Sequence, residues 1–114
     1  MSATPAAFAR IVEASLTAEE RAGAIAYAAR DPLAAGSRLN LAGTAVETAT
    51  EAWLAFIDAA PTANWGHPAR YLVIELASGQ VRSIATRLPP PAALKWRVVY
   101  QAPSVPDAAV AFPQ

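Results

Sequence analysis

The stretch that decides the fold reads Arg70-Tyr71-Leu72-Val73-Ile74-Glu75-Leu76-Ala77-Ser78-Gly79-Gln80-Val81. Residues 70–76 and 81–88 are rich in β-branched and aromatic side chains, which favour strands. Residues 77–80 between them suit a tight turn, because glycine adopts positive φ angles at little cost. We therefore predict a β-hairpin over residues 70–88.

The first strand of this hairpin is apolar on both faces. Alternate side chains of a strand point to opposite sides, so one face carries Leu72, Ile74 and Leu76 and the other carries Tyr71 and Val73. A two-residue loop at Ser78 and Gly79 would place Glu75 opposite Arg82, Val73 opposite Ile84 and Tyr71 opposite Thr86. Because an apolar face needs cover, we expect either the C-terminal tail or another subunit to pack on the second face.

A third strand is predicted at residues 94–101, where a dry face alternates with a wet one. The dry face carries Leu94, Trp96, Val98 and Tyr100, and the wet face carries Lys95, Arg97, Val99 and Gln101. The three prolines at 89–91 end the second strand and form a stiff connection to the third. We predict an extended surface tail over residues 102–114, which contain three more prolines.

The N-terminal half predicts helices. Thr4 and Pro5 suit a helix start, and Thr17 with Glu20 has the spacing of a capping box for a second helix ending near Arg30. Residues 31–43 resemble an ordered connection. A third helix is predicted from Thr44 to Ala60 on apolar residues spaced three and four apart, which are Val46, Ala49, Trp53, Phe56, Ile57 and Ala60.

Together these elements predict an α+β fold in which two or three N-terminal helices pack on a three-stranded antiparallel meander. The chain has 114 residues, of which 54% are hydrophobic, enough for one packed core. We therefore predict a single domain over residues 1–114, with a helical part at 4–60, a sheet part at 69–101 and a tail at 102–114.

Composition excludes several kinds of protein. The chain has no cysteine, so disulfides, zinc–thiolate sites and a cysteine nucleophile are excluded. Its N-terminus lacks a signal-peptide pattern and it has no long apolar run, so we expect a cytoplasmic protein, and its many alanines and prolines suggest a bacterial one. The net charge is zero, but residues 1–60 sum to −3 and residues 61–114 to +3, a separation that either binds an acidic partner or is neutralised within the fold.

The most distinctive loop runs from Asn64 to Arg70 and holds the single histidine. We predict a binding surface formed by residues of this loop and the following strand, namely Trp65, His67, Arg70, Tyr71 and Val73. The alternative is structural: Trp65 closes the end of the core while His67 holds the corner. Catalysis by His67 would require an orienting carboxylate such as Asp58 or Glu75, and nothing in the spacing brings them together.

No metal site, cofactor or nucleic-acid interface is predicted. One histidine without cysteines makes a poor metal site, and the five glycines do not form a phosphate-binding pattern. Trp96 and Arg97 point to opposite faces of the third strand, and the isoelectric point is near 6.6, which disfavours nucleic-acid binding.

The hairpin at residues 70–81 resembles that of PepSY-type domains and related peptidase propeptides, whose fold is cystatin-like. The resemblance lies in a strand, an acidic residue at Glu75, a turn with Gly79, and Val81 opening the next strand. This chain has an alanine where such hairpins often carry aspartate, and no functional residue carries over beyond Ser78 and Gly79 in the turn. The resemblance implies a non-catalytic domain that binds or masks a partner, often a protease.

We therefore expect a non-enzymatic protein-interaction module, similar to an inhibitor, propeptide or accessory subunit, that uses its sheet face or edge and the corner at residues 65–70. Its partner would be another protein or a second copy in a homodimer, with no nucleic acid and no membrane. The alternative is a small-molecule-binding protein or small enzyme of the cone-shaped α+β type. It would have an apolar pocket under the third helix and His67 or Tyr100 as its polar group.

Overall fold

The computed structural model describes residues 5–41, 43–63, 66–90 and 94–111. Two helices come first, α1 at Pro5–Ala14 and α2 at Ala18–Gly23. Seven strands follow: β1 at Ile25–Ala29, β2 at Arg38–Leu41, β3 at Thr44–Glu47, β4 at Ala52–Asp58, β5 at Ala69–Glu75, β6 at Val81–Thr86 and β7 at Trp96–Gln101. A short 3-10 turn at Asp107–Ala109 ends the described chain.

Five of the strands form one antiparallel sheet in the order β6-β5-β4-β1-β7. The centre of the sheet is β4, paired with β5 on one side and β1 on the other. Strands β2 and β3 form a separate two-stranded hairpin. The edges of the main sheet are therefore β6 and β7.

The predicted architecture of helices on a three-stranded meander is wrong, because most of the predicted helical part is sheet. The segment expected to be the third helix contains β3 and β4, and all seven residues of β4 are buried. Residues 52–57 of β4 are all apolar, and in so short an apolar run periodicity cannot separate a central strand from a buried helix. Its length and aromatic content are typical of a strand.

The second helix is also much shorter than predicted. The capping box between Thr17 and Glu20 is confirmed, but α2 ends at Gly23 and the chain continues as β1 instead of reaching Arg30. Part of the segment expected to be helical is instead the interior strand β1. Ala24, Ala26 and Ala28 face α1, where small side chains allow the helix to approach the sheet closely.

The predicted hairpin of β5 and β6 is confirmed, although its register is not. Val73 lies opposite Arg82 and Tyr71 opposite Ile84, a shift of two residues from the expected pairing. The turn is longer than predicted, because the Gly79 amide donates to the Glu75 carbonyl at 2.8 Å and Gly79 has φ 73°. A shift of two residues leaves every side chain on its predicted face.

The third predicted strand forms, but at the opposite edge of the sheet. β7 pairs with β1, not with β6, and the pairing is interrupted by a bulge. The predicted meander of β5, β6 and β7 therefore does not form, and the consecutive strands that lie side by side are β4, β5 and β6. The tail that follows β7 is anchored: Ala102 and Val105 are buried, and the Ala111 amide donates to the Tyr27 hydroxyl at 2.9 Å.

Both faces of the main sheet are covered by the chain itself. Helix α1 packs Phe8 and Val12 on one face, where the ring of Phe8 stacks on Trp53 with centroids 4.9 Å apart. The β2–β3 hairpin and the tail cover the other face. The expected cover of the second face is thus supplied within the chain, and no subunit is required for it. Within the described residues, neither helix has the length and hydropathy to cross a bilayer.

Candidate functional site

The corner between β4 and β5 is held by a buried His67–Asp58 pair. The Nε2 atom of His67 lies 2.6 Å from Oδ1 of Asp58, and the same oxygen accepts the Ala60 amide at 3.1 Å. His67 is 7% exposed and Asp58 3% exposed. Asp58 ends β4 and His67 precedes β5, so the pair ties together the two ends of the intervening loop.

This pair supplies the orienting carboxylate that a catalytic histidine needs, a contact that the sequence spacing did not reveal. A general base must also reach the proton that it removes. Both side chains are almost fully withdrawn from the surface, so the arrangement suits a structural clamp better than an acid–base site. Among the described residues no group of three His, Cys, Asp or Glu side chains is placed to hold a metal ion.

A second clamp joins the same loop to the end of β6. The Gly66 amide donates to the Arg87 carbonyl at 3.1 Å, and Nη1 of Arg87 donates to the Gly66 carbonyl at 2.7 Å. Gly66 has φ 101°, which strongly favours glycine there. The predicted binding residue Trp65 lies outside the described residues.

Arg70, another predicted binding residue, is engaged in a network on the helix side of the sheet. Its Nε and Nη2 atoms donate to the two Glu20 carboxylate oxygens, each at 2.8 Å. Nη2 also donates to the Ser15 carbonyl at 2.8 Å, and Nη1 to Ser83 Oγ at 3.1 Å. Arg70 therefore connects α2 and the residue after α1 to β6, and its donors are engaged within the fold.

This network of hydrogen bonds lowers the pKa of the Glu20 carboxylate. Burial by itself would raise the pKa of Glu20, but hydrogen bonds from Arg70 and Thr17 outweigh it and lower the pKa from 4.5. Glu75 behaves similarly: hydrogen bonding from Thr50 is the largest cause that lowers its pKa. Both glutamates are thus more acidic in the folded chain.

We expect the free energy of unfolding to fall as the pH drops below about 4.5, the ordinary pKa of glutamate. A carboxylate with a lowered pKa stabilises the fold fully above its unfolded value and loses that effect as the pH falls through its folded value. Glu20→Gln should flatten this acid dependence, as measured by urea unfolding at a series of pH values. Glu19→Gln, which neutralises the exposed neighbour on α2, is the matched control. A Glu20→Gln profile parallel to that of the wild type would contradict the expectation.

The remaining predicted site residues do not meet at one surface. Tyr71 and Val73 are buried in the core cluster under the β2–β3 hairpin, so neither can contact a partner. Tyr100 lies on β7, separated from β5 by β1 and β4, and its hydroxyl donates to the Arg21 carbonyl. His67 and Tyr100 therefore do not share a site.

The residues expected to line the apolar pocket of the alternative prediction do not come together. Its third helix is absent, and its aromatic residues lie on opposite faces of the sheet. Trp53 and Ile57 pack on the α1 side, whereas Phe56 and Trp96 pack on the hairpin side. These residues form two packed layers and do not line one cavity.

The outer edge of β6 is the feature that the sequence reasoning did not single out. The Glu75 amide donates to the Gln80 carbonyl, which sets the alternation of the antiparallel ladder. By that alternation Gln80, Arg82 and Ile84 direct their backbone groups at β5, while Val81, Ser83 and Ala85 direct theirs outward. Within the described residues no strand pairs with this edge. We call the outward backbone of residues 81–85 the β6 edge.

A shallow, open depression of about 460 Å³ adjoins the β6 edge. It is lined by Pro68, Ala69, Ala85, Thr86, Arg87 and Leu88. The side chain of Leu88 is 61% exposed and that of Val81 43% exposed, so apolar groups stand at both ends of β6. A second open depression, on the β2–β3 hairpin, lies on another part of the molecule.

Comparison with known proteins identifies no relative, since no family model matches the chain and neither a curated protein nor a solved structure is significantly similar to it. The resemblance of one hairpin to PepSY-type domains stays a prediction.

Proposed function

We propose that this chain is a non-enzymatic protein-interaction module that binds an extended segment of another protein by adding it as a strand at the β6 edge. The observation that supports this function is a regular, outward-facing strand edge with an apolar depression beside it. Strand addition draws its affinity from main-chain hydrogen bonds and its specificity from alternate side chains in adjacent pockets. The β6 edge offers both.

The contrast between the two edges of the sheet supports this assignment. Proteins commonly protect edge strands with bulges or with covering elements. β7 has one such protection, a bulge in its pairing with β1. β6 pairs with β5 over six residues without a register shift, and Val81, Ser83 and Ala85 are all exposed. The unprotected edge is therefore the better candidate for binding.

The β6 edge is also held in place before any partner arrives. Arg70 donates to the Ser83 hydroxyl, and the Gly66–Arg87 clamp secures the end of the strand. A rigid binding strand loses little conformational entropy when its partner docks. The clamps of the loop at residues 59–68 thus support binding indirectly.

An apolar sheet face in need of a partner, which the sequence led us to expect, is not present, because α1 covers one face and the β2–β3 hairpin and tail cover the other. The strand edge, and not a sheet face, is therefore the proposed binding surface. The small-enzyme alternative keeps the His67–Asp58 contact but has neither its pocket nor an accessible histidine to support it.

A proline at position 83 tests the proposal. The Ser83 amide points outward, so Ser83→Pro removes an edge donor without removing a bond to β5. We expect a library of displayed random heptapeptides to yield strand-forming binders of the wild type that bind Ser83→Pro at least about tenfold more weakly, because main-chain bonds at the edge are lost.

Ser83→Ala is the matched control, since it removes the same hydroxyl from Arg70 but keeps the amide. It should retain the selected peptides. Peptides that bind Ser83→Pro as well as the wild type, or a library that yields no binders, would refute strand addition at β6.

A further inference from the structure

We infer that the segment received by the β6 edge is acidic, with a carboxylate side chain opposite Arg82 and an apolar side chain at the depression. This inference rests on the proposed strand addition and identifies the chemistry of the partner. It therefore predicts a partner different from a second copy of this chain.

The β6 edge carries positive charge. Arg82 and Arg87 are both exposed, and residues 77–90 contain no acidic residue. Among the described residues, neither guanidinium takes part in an ion pair within 4.0 Å. An incoming strand thus meets two exposed arginines that form no ion pair with a carboxylate of the described residues.

Glu75 is the acidic residue that interacts with Arg82, through a coulombic contribution to its lowered pKa. Its carboxylate is already occupied. Oε1 accepts the Ala49 amide at 3.2 Å, and Oε2 accepts the Thr50 amide at 3.1 Å and the Thr50 hydroxyl at 2.5 Å. These bonds hold Glu75 toward the connection between β3 and β4, which leaves the outer side of Arg82 available.

The ladder alternation indicates where the carboxylate would lie. An antiparallel partner would exchange hydrogen bonds with Val81, Ser83 and Ala85, so its residues opposite Arg82 and Ile84 occupy the sites where facing side chains approach most closely. A partner residue two positions further along, opposite Thr86, lies at the depression. Read from its N-terminal end, the fitting segment therefore has an apolar residue opposite Thr86, an apolar residue opposite Ile84 and an acidic residue opposite Arg82, each two positions after the last.

A second copy of the chain fits this edge poorly. Pairing β6 with its own copy would place two more arginines on the same ribbon and would bring no acidic residue with them. Like charges on neighbouring strands destabilise their pairing. Charge complementarity therefore favours a different, acidic chain.

The test uses three synthetic peptides, acetyl-Thr-Leu-Thr-Val-Thr-Glu-Thr-amide and its counterparts with glutamine or lysine in place of the glutamate. NMR titration of the labelled full chain gives each affinity and shows which amides shift. We expect the glutamate peptide to bind about threefold more tightly than the glutamine peptide, and the lysine peptide about threefold more weakly still, as is typical of exposed charge pairs. Arg82→Gln should abolish this ranking, and Lys95→Gln, before the opposite edge strand, should preserve it.

The outcomes separate the two proposals. If all three peptides bind with equal affinity and shift the amides of residues 81–85, strand addition stands and the acidic preference is refuted. A ranking that survives Arg82→Gln also refutes it. If no peptide binds, both proposals fail. A wild-type dimer in solution that protects the amides of residues 81, 83 and 85 from exchange would show that a second copy occupies the edge, which overturns the inference.

Discussion

Phe56→Ala is expected to lower the free energy of unfolding by about 3–5 kcal/mol, the usual cost of removing a fully buried aromatic side chain. Phe56 lies at the centre of β4, the central strand, and has no exposed surface. Its ring meets Tyr71 edge-on at 5.1 Å between centroids and Trp96 at 6.3 Å. Truncation would leave a cavity between the sheet and the β2–β3 hairpin, which urea unfolding followed by tryptophan fluorescence would detect.

Leu54→Ala distinguishes the observed central strand from the helix that the sequence predicted, because the two structures bury Leu54 to different extents. Leu54 is buried on the same face of β4, but it lies off the apolar stripe of the predicted helix. The strand predicts a cost of about 2–5 kcal/mol, whereas an exposed helix position predicts a small one. Ile11→Ala, at a partly exposed position on α1, is the control for a small cost. If Leu54→Ala lowered the free energy of unfolding by no more than Ile11→Ala does, the assignment of residues 52–58 to a buried strand would be contradicted.

Asp58→Ala is expected to cost about 2–4 kcal/mol, because it leaves the buried His67 ring and the Ala60 amide without their shared acceptor. The effect should concentrate in the corner, where the described amides of residues 60–68 would exchange faster with solvent. Hydrogen exchange and urea unfolding measure the local and the global effect. Asp31→Ala removes an exposed carboxylate and is the matched control, with a change within about 0.5 kcal/mol.

A double-mutant cycle isolates the His67–Asp58 contact. Asp58→Ala and His67→Ala together should cost about 0.5–3 kcal/mol less than the sum of the single variants, because the two residues share one interaction. Strictly additive costs would show that the contact contributes nothing to the corner. The same variants bear on function, because a loosened corner would weaken the Gly66–Arg87 clamp and should reduce peptide binding at the β6 edge.

The two core layers cover the two faces of the main sheet, which leaves its edges as the places where another strand could pair. The strand that is apolar on both faces, β5, is buried on both faces by the chain itself, so its composition reflects a position inside the sheet. The Gly66–Arg87 clamp lies at the end of the neighbouring strand β6. The proposed binding surface is therefore the outward backbone of the β6 edge.

The sequence by itself determined the local features of this protein. The hairpin of β5 and β6 follows from two β-rich segments around Gly79, and the capping box follows from Thr17 and Glu20, because each depends on residues close together in the chain. The start of α1 near Pro5 is local in the same way. Even the wrong hairpin register preserved the predicted faces, since the side-chain alternation has a period of two.

Only the tertiary structure decided the identity of β1 and β4, the position of β7 and the corner pair. Residues 52–57 are all apolar, and they form a strand because layers from distant parts of the chain cover both faces. β7 pairs with β1 across about seventy residues of chain. His67 meets Asp58 because the pairing of β4 with β5 places Asp58 opposite Ala69. These contacts depend on free energies of packing that no local pattern of residues encodes.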